Sequence, residues 1–369
     1  MVSITCQRDE LQQALSVATR AMSSRSTISI LDGICIWGRE DALEIICTDL
    51  QMCIRKEIEA VCSQEFQAIL PGRLFPEIIR RLPEGDIHMA IDEKLTVTIT
   101  SGGSRTTLQA LDAADYPVMP LLSDEHLVHV REKDLRDMLR QSLFAAAQDD
   151  ARPILTGALL EVDGHNMSIV TIDGYRLALR KIALEEAAMA REAVAPARTL
   201  LEIARILGDG KESVALHIQD NHMMAEFDRT YVTMRLMEGE FIKYRQILPS
   251  EAATKVEVSV EALLSAIERA SLMARDNKSN LVRVQVEEEQ LVITSNSQIG
   301  EAYEEVACRM SGKPLAIAFN AHYMLDVLRV LEEETVQLQL NTNVSPCVFS
   351  PLEGDGFLYL VLPVRTYGG

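Results

Sequence analysis

None of the seven cysteines, at positions 6, 35, 47, 53, 62, 308 and 347, forms a CxxC pair. That spacing argues against a zinc ribbon or a redox dithiol. An odd number of thiols in so long a chain reads instead as reduced, mostly buried cysteines of a cytosolic protein. No apolar run approaches the ~18 residues of a membrane span. The opening MVSITCQRDELQQAL lacks the apolar core behind a basic stretch that marks a secretory leader. The chain holds no GxxxxGK[ST] phosphate loop, no HExxH helix and no GxSxG elbow. Recognition-helix and finger motifs are also missing, so base readout is not expected. The histidines are scattered at 88, 126, 129, 165, 217, 222 and 322. His126 and His129 fall in an expected linker with no matching Cys or carboxylate pattern and read as solvated. No catalytic residue, metal site or cofactor is expected.

Basic residues are in short supply. Lys and Arg number 36 against 55 Asp and Glu, a net charge of −19, with a sequence pI near 4.9. Such a chain does not bind nucleic acid through its overall field, because phosphate is also negative. Any nucleic-acid role must use a local basic surface or something other than affinity.

The remaining composition is that of a globular protein, with 47% hydrophobic and 25% charged residues in 369. At roughly 150 residues per domain the length suggests two to three domains. A repeat decides for three. The segments PGRLFPEIIRRL (71–82), PARTLLEIARIL (196–207) and NAHYMLDVLRVL (320–331) align on an acid, an Arg and a Leu. These are Glu77, Glu202 and Asp326; Arg80, Arg205 and Arg329; and Leu82, Leu207 and Leu331. Phe75, Ile78, Ile79 and Leu82 follow helical spacing, and each copy keeps most of the pattern.

A second amphipathic helix repeats as Leu11, Ala14, Leu15, Ala18; as Leu135, Met138, Leu139, Ser142; and as Leu263, Ala266, Ile267, Ala270. Ile30–Gly33 and Ile154–Gly157 follow the first two, each leading into an alternating, strand-like run. Thr48-Asp-Leu and Ile172-Asp-Gly share one further position. The copies lie about 124 to 128 residues apart. Turns are expected at Gly102-Gly103, Asp163-Gly164 and Asp220-Asn221, and linkers at 116–130 and 248–258. The reading is α+β, three repeated domains over 1–123, 124–250 and 251–369, each with two helices and antiparallel sheets. A triplicated rod or solenoid is the alternative.

The helices carry basic residues on their polar faces: Arg20, Arg73, Arg80, Arg81, Arg136, Arg140, Arg198, Arg205, Arg269, Arg275 and Arg329. Each repeated Arg lies three residues after an acid and can pair with it for only about 0.2–0.5 kcal/mol. Pairing within the helix and weak attraction to a polyanion are both open. Asp49 and Asp173 repeat, and paired carboxylates can hydrolyse; lying in different repeats, they read as equivalent turn residues instead.

At these residues the sequence resembles the bacterial DNA sliding clamp family, the beta subunit of DNA polymerase III. The likeness runs the length of the chain. It is strongest at TIDGYRLA (171–178), YRQILP (244–249) and VLPVR (361–365), with TDL (48–50) and LPEG (82–85) in support. The resemblance implies a head-to-tail homodimer, a ring of six clamp domains with helices lining the hole. Such a ring is a processivity factor, held on double-stranded DNA by topology rather than by grip. It would be a non-catalytic cytoplasmic subunit, with ATP-driven loading supplied by another protein.

The resemblance also implies a hydrophobic pocket for short linear motifs of replicative polymerase, clamp loader, repair polymerases and mismatch-repair proteins. Position by position it is Leu155, Ile172, Gly174, Tyr175, Arg176, Leu177, Ile247, Val344, Val361, Leu362, Pro363, Val364 and Arg365, with Asn320 and Tyr323 at the rim. Arg176 and Arg365 are expected to hydrogen-bond the partner. Ile172, Tyr175, Ile242 and Gln246 stand where the family commonly has Thr, His, Pro and Arg. Interface residues carry over as Arg105 and Leu108 against Leu272, Met273, Glu301 and Glu304 of the second copy, with Thr106 where an aromatic is usual. DNA-facing positions are Arg25, Arg73, Arg80, Arg152, Arg198 and Arg205. A peptide-binding scaffold that never touches DNA is the alternative from another class.

Overall fold

The structure, a computed structural model, describes residues 1–22, 28–117, 119–149, 151–210, 212–274 and 280–365. Six α-helices lie among them: α1 (Arg8–Ala18), α2 (Leu74–Arg81), α3 (Glu132–Arg140), α4 (Ala197–Ile206), α5 (Val260–Ala274) and α6 (Ala321–Leu328). They are the repeated helix pairs read from the sequence. Leu11, Ala14, Leu15 and Ala18 of α1 are buried, as are Leu135, Met138 and Leu139 of α3 and Leu263, Ala266, Ile267 and Ala270 of α5. On α2 the stripe narrows to Phe75 and Ile79, with Ile78 half-buried.

The chain forms two compact units, Met1–Lys133 with Arg205–Leu236, and Asp134–Ala204 with Met237–Gly369. The first holds a five-stranded antiparallel sheet in the order Val61–Cys62, Val2–Gln7, Asp86–Ile91, Thr96–Ser101, Ser104–Gln109. It also holds an eight-stranded sheet: Leu127–Arg131, Ser213–Ile218, His222–Phe227, Thr230–Arg235, Met52–Glu59, Ala42–Thr48, Gly33–Gly38, Phe66–Pro71. The second unit is built on ten strands: Gly157–Ile172, Arg176–Pro196, Phe357–Val361, Cys347–Ser350, Thr335–Leu340, Thr254–Ser259, Gly300–Ser311, Gln290–Ser297, Leu281–Val286, Leu315–Asn320.

Strand pairing joins one repeat to the next in the same way twice. Thr230–Arg235 lies antiparallel on Met52–Glu59 with Met234 opposite Met52. Phe357–Val361 lies on Arg176–Pro196 with Val361 opposite Arg176. Each join extends a sheet across a repeat boundary and so removes two exposed strand edges.

Three local expectations change. Asp163-Gly164 is not a break: Gly157–Ile172 runs through as one strand, with register shifts at Val162/Gly164 and Gly164/Asn166. Its two halves pair with successive halves of a single partner strand, and Gly164 at φ +57° supplies the bulge. The linkers are shorter than 116–130 and 248–258, because Leu127–Arg131 and Thr254–Ser259 are paired strands. Finally, His129 is exposed on one of those strands, whereas His126 is half-buried.

All seven cysteines are free; six are buried and Cys308 is half-buried. Burial pushes the thiols of Cys6 and Cys35 up to about 12, so they are poor nucleophiles at neutral pH. Trp37, the sole tryptophan, lies on Gly33–Gly38 in the first unit. Its Nε1 donates to Glu65 at 3.1 Å, and the Arg39 guanidinium lies 4.3 Å from its ring. Among the described residues, no helix is long and apolar enough to cross a membrane.

Candidate functional site

The site is built on the turn that joins Gly157–Ile172 to Arg176–Pro196. The Asp173 carboxylate accepts the backbone N–H groups of Tyr175 (2.9 Å) and Arg176 (3.0 Å) through Oδ1. Gly174 takes φ +92°, a conformation that L side chains rarely adopt, and a Cβ there would meet no atom within 4 Å. Leu155, Ile172 and Leu177 lie beneath, buried in one cluster with Val170, Val348 and Leu360. Val361 is buried in the adjoining core opposite Arg176. The C-terminal segment is tied on by Leu362 N–H donating to the Tyr175 carbonyl and Val364 N–H to the Ala318 carbonyl, both at 2.8 Å.

The expected pocket residues therefore separate into two sets. Leu155, Ile172, Leu177, Val361 and Arg176 are a buried foundation. Tyr175, Ile247, Val344, Leu362 and Arg365 are exposed, and Pro363 and Val364 are half-buried. Asn320 caps α6 by accepting the His322 N–H at 2.9 Å. Tyr175 is 60% exposed, yet its ring stacks on Tyr323 with centroids 5.9 Å apart and planes 20° apart. Partial burial, then the nearby Asp173 carboxylate, push the Tyr323 hydroxyl up.

Arg176 differs from the expectation. It is only 8% exposed, and its guanidinium is engaged within the chain. Nε donates to Asp173 at 3.0 Å, Nη1 to Asp326, and Nη2 to the Phe144 carbonyl at 2.8 Å. The guanidinium also lies 4.7 Å from the Tyr323 ring. Three of its five N–H groups are engaged in this way, which gives the guanidinium a task within the chain. Sequence reasoning missed Asp326 and Phe144. No motif could have found them, because both approach Arg176 from far along the chain.

The other expected residues are distributed as follows. Arg25 lies outside the described residues, as do Arg275 and the tail 366–369. Arg73, Arg152, Arg198 and Arg205 are exposed. Arg80 pairs with Glu77 of its own helix at 2.8 Å, as does Arg81 at 3.3 Å. In the third repeat the matching pair does not form: Arg329 binds Glu268 of α5 at 2.8 Å, and Asp326 binds Arg176. Arg105 is exposed on the edge strand Ser104–Gln109, and Leu108 is buried. Leu272 is 50% exposed, Met273 half-buried and Glu301 exposed. Glu304 is bound by Arg269 of α5 at 2.6 Å, which holds its carboxyl below the usual range. Among the described residues no His, Cys, Asp or Glu cluster is arranged to hold a metal.

Comparison with known proteins places this geometry. Models of the DNA polymerase III beta subunit match the chain three times: the N-terminal domain over 2–120, the central domain over 129–243 and the C-terminal domain over 245–365. The chain is 31% identical to the beta sliding clamp of Halalkalibacterium halodurans, with 98% of each sequence covered. It is 29% identical to that of Staphylococcus aureus over the full length of both. The crystal structure of the Bacillus subtilis DNA polymerase sliding clamp superposes with a TM-score of 0.96 at 30% identity, covering 99% of this chain and 100% of that one. The Pseudomonas aeruginosa clamp, solved bound to griselimycin, gives 0.92 at 27% identity, with 99% and 100% covered. The chain belongs to the DNA polymerase III beta subunit family. It has three clamp domains, and its function is that of a DNA sliding clamp.

Proposed function

We propose that two copies close head to tail into a ring of six domains that encircles double-stranded DNA regardless of sequence. The reading rests above all on two strand edges. Among the described residues, Ser104–Gln109 has a partner on one side only. Gly300–Ser311 pairs with Gln290–Ser297 over residues 300–307, and the other side of Glu301–Val306 is open. One open edge carries Arg105; the other carries Glu301 and Glu305, beside Leu272 and Ile299, 50% and 74% exposed. Edges of opposite charge flanked by apolar side chains suit a stable joint that can still open. Two such joints close a ring with two-fold symmetry. Arg105, Leu108, Leu272, Met273, Glu301 and Glu304 are the interface in this reading, and 1–123, 124–250 and 251–369 the domains.

Arg25, Arg73, Arg80, Arg152, Arg198 and Arg205 then face the duplex. Because Arg80 is already paired with Glu77, the attraction is weak. A ring held by topology needs no more, and strong phosphate contacts would pin it. The chain is non-catalytic, takes no cofactor and works in the cytoplasm. Leu155, Ile172, Gly174, Tyr175, Leu177, Ile247, Asn320, Tyr323, Val344 and Val361–Arg365 form the docking site, on an Arg176 foundation. There it tethers a replicative polymerase, the clamp loader, repair polymerases and mismatch-repair proteins through short linear motifs, and this site is our proposal for the place of griselimycin, which the Pseudomonas aeruginosa clamp binds. Sedimentation tests the joint. The chain is expected at about twice 41.0 kDa and the Leu272→Ala, Met273→Ala double variant at single-chain mass. A wild-type monomer, or an undisturbed dimer in the variant, removes the assignment.

A further inference from the structure

We infer that Asp326 is a positioning residue for partner docking: by holding Arg176 against the turn, α6 and the Phe144 carbonyl, it fixes the Tyr175–Tyr323 ring stack on which a partner segment lies. This rests on the docking site proposed above and names what builds it. The geometry is that of a clasp. One guanidinium collects Asp173 from the turn, Asp326 from α6 and the carbonyl of Phe144. Phe144 is itself fixed, its ring edge-on to buried Tyr359 at 5.6 Å. The planar fork can satisfy these acceptors at once, which an ammonium cannot do with the same geometry. The Tyr323 ring lies against that guanidinium, and Tyr175 lies on Tyr323. Displacing Asp326 loosens all of these together.

Two differences between repeats point the same way. The first repeat has the same turn at Asp49–Met52, but Met52 stands at the Arg176 position. There is no guanidinium to gather acids there. On the helix side, Glu77 of α2 keeps Arg80, whereas Asp326 gives up Arg329 to Glu268. Glu77 stays with its own helix, whereas Asp326, the matching acid of the third repeat, turns to Arg176.

The test sets this role against direct contact, because the two predict different outcomes for Asp326→Asn. Griselimycin is titrated into the full-length protein by calorimetry. If Arg176 contacts the ligand, Asp326→Asn frees it, and binding is unchanged or tighter. If Asp326 positions it, Asp326→Asn and Arg176→Lys each weaken binding about tenfold, and Asp326→Glu recovers most of the loss. Asp326 is 38% exposed on its side chain, so the fold survives substitution, and circular dichroism checks this. The Tyr175 and Tyr323 ring resonances are followed by NMR in the same variants without ligand. They are expected to lose their mutual ring-current shifts in Asp326→Asn. A stack that persists there, or binding as tight as wild type, overturns the inference. Failure of the wild type to bind, or wild-type binding by Leu362→Asp, sinks the docking site instead, and the ring resonances still decide the role of Asp326.

Discussion

In the first repeat, Asp49 accepts backbone N–H groups from Gln51 at 3.0 Å and Met52 at 2.8 Å; in the second, Asp173 does the same for Tyr175 and Arg176 at 2.9 and 3.0 Å. Arg235 N–H donates to the Gln51 carbonyl just as Leu362 N–H donates to that of Tyr175. The backbone of the two turns is one design; their side chains have diverged. Leu50 sits at φ +73° where the second turn has Gly174 at +92°. The hydroxyl of Thr48 braces the first turn, donating to the Met52 carbonyl at 2.8 Å and accepting the Leu50 N–H at 3.1 Å. Ile172 gives the second turn no such brace. The second turn is also held from outside: its Arg176 donates to Asp326 of α6 and to the Phe144 carbonyl. A turn braced by its own residues is a structural corner, whereas one held by distant residues presents a surface.

Substitutions can break this comparison. The largest contrast is expected from Asp49→Ala against Asp173→Ala. Each strips a side-chain acceptor from two N–H groups, at about 1–2 kcal/mol of stability. Only Asp173→Ala should also lose griselimycin affinity. Equal affinity losses in calorimetry would erase the distinction between the turns. Next comes the exchange of Leu50→Gly for Gly174→Ala. Relief of the left-handed leucine, less the entropy of glycine, should raise stability by about 0.5–1 kcal/mol. Gly174→Ala should lower it by about 1 kcal/mol through backbone strain alone, since no atom lies within 4 Å of the added Cβ. Denaturant melts read both, and equal signs would contradict the assigned conformations. The smallest effect is that of Glu77→Gln on α2. Losing its exposed pairs with Arg80 and Arg81 should cost only about 0.2–0.5 kcal/mol each and leave ligand binding untouched, unlike the matching change at Asp326.

The amphipathic helices, the threefold repeat and the equivalence of Asp49 and Asp173 were legible in the sequence, because each depends on spacing along a short stretch. Buried stripes such as Leu11, Ala14, Leu15 and Ala18 follow directly from a period of 3.6. The partners of Arg176 were not legible, since Phe144 and Asp326 reach it from 32 and 150 residues away. The i, i+3 rule succeeded for Glu77 and Arg80, where the second cation on Glu77, Arg81, comes from the same helix. It failed for Asp326 and Arg329, because tertiary partners outbid a pair worth so little. Gly164 misled for a related reason. A glycine with positive φ serves a bulge as readily as a turn, and only the partner strand decides which.

Trp37 stands alone in the sequence and belongs to the first compact unit. Indole emission therefore witnesses the melting of that unit and is silent about the one that contains Tyr175 and Asp326. A fluorescence transition that precedes or trails the loss of circular dichroism would show the two compact units melting separately, without any engineered probe.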